Sequence, residues 1–178
     1  KGIVVLSDAD LSASTLIDGK FIEDKIAKDQ LTTIKFPLQR GVESLGRVSI
    51  PNSVLGLARS IAISNNGKFA YALESFTTHN SERKQGAEEV ATEERIYVID
   101  IENAAQPMVK YAFGVGTKAT ALNINNNDMV LVTNAKGKEL VFMEAGADGK
   151  PVYYQELAIG LEDNTIITNA MWHPSGDY

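Results

Sequence analysis

The sequence predicts an all-β fold of four-stranded antiparallel meanders, and three observations predict it. Alternating apolar and polar residues of strand type dominate the chain, whereas helix patterns are almost absent. One pattern recurs three times, as Ile61–Tyr71, Leu122–Val132 and Ala170–Tyr178. Each copy joins an apolar alternation, a four-residue polar turn and a second apolar alternation. The turns Asn65-Asn66-Gly67, Asp148-Gly149 and Pro174-Ser175-Gly176 all supply residues that accept positive φ or start tight turns. The matching positions Ile63, Ile124 and Trp172 are 61 and 48 residues apart. Repeats of that length holding several short strands are those of β-propeller blades. The chain therefore reads as a single segment of propeller blades in an incomplete ring.

The elements follow in order. Gly2–Ser7, Leu31–Phe36 and Leu45–Ile50 read as strands, the last ending at Pro51. Between the first two, Thr15–Phe21 fits either a hairpin around Asp18-Gly19 or the start of a short helix running through Ile26. Residues 1–57 are taken as a divergent first blade that lacks its innermost strand, with Val54–Leu57 leading into the regular repeat. In the blade 58–116, Arg95–Ile101 alternates and is rich in β-branched residues, and Met108–Phe113 closes on Gly114. In the blade 117–166, Glu139–Met143 takes the same place and Val152–Ala158 closes on Gly160. Residues 167–178 are expected to open a further blade.

The unequal spacing has one source. From Ile99 to Ile124 is 25 residues and from Met143 to Trp172 is 29, so the second half of the blade scarcely varies. Residues 75–94 separate the second and third strands of one blade, where the next uses only Ala135–Lys138. This insertion is polar and has no strand period, so it reads as a surface loop, either functional or mobile.

Composition sets outer limits. With 178 residues, 44% of them hydrophobic, the protein has the means to bury a sizeable core in one domain. A net charge of -6 repels phosphate backbones and anionic lipid, which argues against nucleic acid and membrane partners. The absence of cysteine removes disulfides, thiolate ligands and cysteine nucleophiles. No apolar run approaches the ~18 residues of a spanning helix. The sequence starts at Lys1 rather than Met, as a periplasmic or secreted protein would after losing a signal peptide.

Ser64–Tyr71 followed by Arg95–Asp100 resembles the surface-layer and lactonase-like β-propellers built on the YVTN repeat, and Val132-Thr-Asn134 keeps the last three letters of that motif. The resemblance covers roughly residues 45–178. Asp128-Met129 departs from it, standing where the repeat has Gly-Lys. It implies a ligand face formed by loops leading into the innermost strand and loops joining the second and third strands. On that face it would place Arg59, Thr120 and Thr168 at equivalent strand-start positions, with Glu74, Asn134 and the insertion carrying His79. Lys118 and Asn169 would lie close by.

Two readings of that cluster compete. In one, Glu74 and His79 bind a metal or act as acid and base at a channel mouth. In the other, which we favour, these residues cap strand ends and meet solvent, because one carboxylate and one histidine fall short of the three or more ligands a metal site takes. His173 reads as a turn residue beside Trp172 on the opposite face. Asp8-Ala-Asp10 lacks the glycine and glutamate of a calcium loop. Glu88, Glu89, Glu93 and Glu94, interrupted by basic residues, read as a solvated cluster. No catalytic residue is assigned and no cofactor is identified.

Three function classes remain. The first is a non-catalytic binding or scaffold propeller offering its surface to a protein, glycan or small-molecule ligand, as part of a longer protein. The second is a lactonase-like hydrolase with a metal in the central channel, for which Arg59, Thr120 and Thr168 are poor ligands. The third is a redox or haem-associated propeller, for which the sequence has no Cys-x-x-Cys-His motif. Propellers close with about 4 to 8 blades. Missing blades or a second copy in a homodimer are therefore expected to complete the ring.

Overall fold

A computed structural model describes residues 1–9, 26–38, 44–52, 60–74, 94–116, 119–134, 138–162 and 165–175. Among them the secondary structure is strand without helix, arranged as three antiparallel sheets. The first sheet holds β1 (Gly2–Ser7), β2 (Gln30–Lys35) and β3 (Leu45–Ser49), paired in sequence order. The second is the meander β4 (Ile61–Ile63), β5 (Phe69–Glu74), β6 (Glu94–Asp100) and β7 (Met108–Gly116). The third is the meander β8 (Ala119–Ile124), β9 (Met129–Asn134), β10 (Leu140–Ala145) and β11 (Pro151–Leu157).

These strands fall where the alternation put them, with differences at the ends. Gly114 does not terminate its strand. It pairs with Arg95, and β7 continues to Gly116 opposite Glu94, through a bulge in β7 itself that leaves Val115 as the extra residue. Gly160, by contrast, has φ 69° and does turn the backbone. The residues 10–25, 53–59, 75–93 and 135–137, which include the hairpin-or-helix segment, the blade connection and almost all of the insertion, lie outside the described residues.

The sheets stack face to face, and alternation along β5 explains how. Phe69, Tyr71 and Leu73 point to one side, where they join Ile96 and Val98 of β6 against Leu122, Val130, Val132, Val141 and Met143 of the third sheet. Ala70 and Ala72 point to the other side, where with Ile99 they meet Leu31 and Ile50 of the first. A strand buried on both faces loses the polar half of its pattern, which is why all five residues from Phe69 to Leu73 are apolar. Large side chains on one side and alanines on the other bring the first sheet close. Gly46 of β3 is pressed so tightly on the connection after β6 that an added Cβ would lie 2.2 Å from the Ala104 carbonyl oxygen.

The hairpin turns of the second and third sheets are built alike. Ser64 and Asn125 hold matching positions, both are buried, and both use a side-chain oxygen to accept a backbone N–H across the turn, from Phe69 at 3.0 Å and Met129 at 2.9 Å. Gly67 and Asp128 also match and both are left-handed, with φ of 69° and 57°. The second turn closes one residue sooner, since Ile63 pairs with Ala70 but Ile124 with Val130.

Residues 165–175 join no ladder, although the repeat led us to expect a strand from 167 onward. They run along β8 through side-chain bonds instead. Thr120 Oγ1 reaches Ile167 O at 3.0 Å, the Trp172 N–H donates to Asn123 Oδ1 at 3.2 Å, and Asn126 Nδ2 donates to Pro174 O at 3.2 Å. Trp172 packs edge-on to Phe142 with ring centres 5.8 Å apart, covering part of the third sheet's outer face. β8 is the edge strand of that sheet, and the side chains of Thr120 and Asn123 take the backbone groups of Ile167 and Trp172 that a ladder would use.

Candidate functional site

The ends of β5 and β9 and the start of β8 carry the described residues of the expected ligand face. Glu74 ends β5 opposite Arg95. Its Oε2 accepts the hydroxyl proton of Tyr97 at 2.8 Å, a diagonal contact across the β5–β6 pair. Burial, and then the bond to Glu74, push the Tyr97 phenol up to about 12, with Arg95 acting in the opposite direction. Tyr97 therefore stays a proton donor across the neutral range, held by a carboxylate that accepts from it.

Thr120 lies at the start of β8, where Oγ1 is 2.8 Å from Thr133 Oγ1, 3.2 Å from Thr133 O and 3.0 Å from Ile167 O. One hydroxyl proton cannot serve two carbonyls at once. The shorter contact gives it to Ile167, while Thr133 donates to Thr120, so the two threonines relay a bond from the third sheet to the segment lying over it.

Asn134 ends β9 and is fully buried. Its Nδ2 donates to Val115 O at 3.1 Å and to Lys138 O at 2.9 Å, and its backbone N–H donates to Glu139 O at 2.9 Å. Val115 belongs to the second sheet, so this one amide ties two sheets together. Its Oδ1 is buried and has no hydrogen-bond partner among the described residues. Glu139, also buried, accepts the Ile159 N–H at 3.0 Å.

The structure thus ties Thr120 and Asn134 to the same two strand ends, whereas Glu74 is bonded within its own sheet. Asn169 and Thr168 are exposed in the 165–175 segment. Arg59, Lys118 and His79 lie outside the described residues. His173 is exposed at the far turn and pairs with Ser175 Oγ at 3.0 Å. Among the described residues no three histidine, aspartate or glutamate side chains converge as metal ligands would. Among the described residues, Glu74 bonds within its own sheet, Thr120 bonds to the segment lying along β8, and Asn134 Nδ2 bonds at a sheet junction.

A second feature was not anticipated. Between the outer strands β7 and β11 lies an open groove of about 540 Å³, lined by Lys110, Tyr111, Phe113, Lys150, Pro151 and Tyr154 among others. The Tyr111 hydroxyl donates to Asp148 Oδ2 at 2.8 Å, which raises the phenol and lowers the carboxyl below its usual range. The Lys110 ammonium lies 2.9 Å from Asp100 and holds that carboxyl low. Lys150 sits over the Tyr111 ring at 5.8 Å. The signal was present as tyrosines in both outer strands, but which strands become neighbours depends on how the sheets stack.

Comparison with protein-family models, with curated proteins and with solved structures found no match for this protein.

Proposed function

We propose that this protein is a segment of a β-propeller that binds or presents a partner and performs no catalysis itself. The observation that carries the reading is how the polar groups of the expected ligand face are used. Thr120 holds the 165–175 segment, Asn134 Nδ2 holds a sheet junction and Glu74 holds Tyr97, so these groups serve the fold rather than a substrate. The two successive four-stranded meanders, stacked with β4 and β5 against β8, are what adjacent blades require. A protein, peptide or glycan in a periplasmic or extracellular setting is the partner class, with the 75–94 insertion as the contact element. Lactone hydrolysis with a channel metal is the competing reading, and redox chemistry with haem is the third.

The test has two arms on the intact protein. Lactone turnover is measured with and without added divalent cation, and binding is screened on glycan and peptide arrays. Array binding that disappears when residues 85–92 are deleted, at unchanged thermal midpoint, supports the proposal. Metal-dependent turnover overturns it.

A further inference from the structure

The turn between β4 and β5 contains Asn66-Gly67, a dipeptide whose side-chain amide is open to attack by the following backbone nitrogen, because glycine offers no side chain to hinder it. The turn holds both reacting groups. The Gly67 N–H, the incipient nucleophile, donates to Ser64 O at 2.8 Å. Asn66 Oδ1, on the carbon to be attacked, accepts from Ser64 Oγ at 2.8 Å and from the Lys68 N–H at 2.9 Å. Asn66 and Gly67 are nonetheless exposed, and nothing lies within 4 Å of a Cβ built on Gly67. These turn bonds, together with the links from the adjacent Asn65 to Asp128 and Asn125, hold the pair.

The same cage surrounds Asp148-Gly149. There the Gly149 N–H donates to Gly146 O at 2.8 Å and Asp148 Oδ1 accepts the Lys150 N–H at 3.0 Å. Gly149 differs in being buried, with its Cβ position 2.8 Å from the Phe69 ring. Opening this second turn would disturb packed side chains between two sheets, whereas opening the first at Asn66-Gly67 displaces no packed side chain.

We infer that Asn66 is a site of spontaneous deamidation gated by local opening of the β4–β5 turn. In the opened turn, hydroxide removes the Gly67 N–H proton and the nitrogen attacks Asn66 Cγ. The new bond from Gly67 N to Cγ forms as the bond from Cγ to Nδ2 breaks, and Nδ2 takes a proton back from water, regenerating hydroxide, and leaves as ammonia. Water then opens the cyclic imide at either carbonyl, giving aspartate or isoaspartate. Aspartate keeps the acceptor that Ser64 and Lys68 use. Isoaspartate inserts a methylene into the backbone, and the left-handed turn at Gly67 cannot close around it.

The experiment follows conversion at residue 66 by peptide mapping at mildly alkaline pH, in the folded protein, in the protein unfolded by urea, and in Ser64→Ala. Amide exchange of Gly67 is read on the same folded sample. The expected result is conversion at least about tenfold slower in the folded protein than in urea, with Gly67 protected to match, and faster conversion in folded Ser64→Ala but not in its unfolded form. Equal rates folded and unfolded, no conversion in urea, or slow conversion beside an unprotected Gly67 each overturn the inference. Should Ser64→Ala fail to fold, the exchange comparison in the unsubstituted protein decides alone.

Discussion

Asp128 adopts the left-handed backbone of the second hairpin turn, and its carboxylate reaches back to the first, accepting the Asn65 backbone N–H at 2.7 Å. Asn65 Nδ2 in turn donates to Asn125 O at 2.9 Å. Glycine at 128 would suit the backbone but could not make this bond. Aspartate tolerates the conformation at modest cost and gains a link between successive repeats. The order of stability among variants should be Asn mildest, Gly intermediate and Ala worst. Asp128→Gly loses the bond, costing about 1 kcal/mol, and Asp128→Ala adds backbone strain for a total of about 2 kcal/mol. Chemical denaturation of the three variants checks the ranking.

Gly46 should tolerate no side chain. An alanine Cβ would stand 2.2 Å from the Ala104 carbonyl oxygen and 2.4 Å from Pro107 Cδ, so the first sheet must shift away from the second. Gly46→Ala is expected to lower stability by about 1–3 kcal/mol, read as a displaced urea midpoint. Gly67→Ala meets no atoms, and its effect comes from φ 69° alone, about 1–2 kcal/mol.

Asn134 is required for its two donors. Asn134→Ala leaves the Val115 and Lys138 carbonyls without them, at about 1–3 kcal/mol. Asn134→Asp is worse, because it turns a buried carboxylate toward two carbonyl oxygens. Thermal midpoints that fall in the order wild type, Ala, Asp would agree with this, and a neutral Asp variant would refute it.

Alkaline pH should weaken the fold through Tyr71 and Tyr97. Both phenols are pushed up to about 12 from 10.0, chiefly by burial, with Asp128 and Asp148 adding to it at Tyr71 and the Glu74 bond at Tyr97. A raised pKa means the unfolded state releases these protons first. The stabilising contribution is therefore complete below pH 10 and is lost as pH climbs toward 12. Stability measured across that window should fall less steeply in Tyr71→Phe and Tyr97→Phe than in the parent protein, and a spectroscopic titration of phenolate should lose one late-ionising group in each variant.

The strands were legible because a half-buried or fully buried strand writes its burial into a local pattern. Arg95–Ile101 could be read from alternation and β-branching, and the strand that ends the Leu122–Val132 copy from its place in the repeat. The turn residues Gly67 and Gly149 were legible for the same local reason. What sequence spacing could not carry was the third dimension. The run to Gly116 through Gly114 depends on a bulge at Val115, and the absence of a ladder in 165–175 goes with side-chain bonds from β8 to its backbone. At the candidate site, Glu74, Thr120 and Asn134 could be placed at strand ends by counting, but their partners Tyr97, Ile167 O and Val115 O come from register and stacking. Asp128 looked like a departure from the repeat until Asn65 was found against its carboxylate.

Strand β5 of the second sheet has no solvent-facing side. One face of β5 is committed to the third sheet and the other to the first, so nothing on it can be exposed without separating it from a neighbour. Its backbone amides should therefore be the slowest in the protein to exchange with deuterium, and loss of either flanking sheet should release them together. The middle sheet makes the three-sheet stack a cooperative unit, in which damage at either end is felt at the centre.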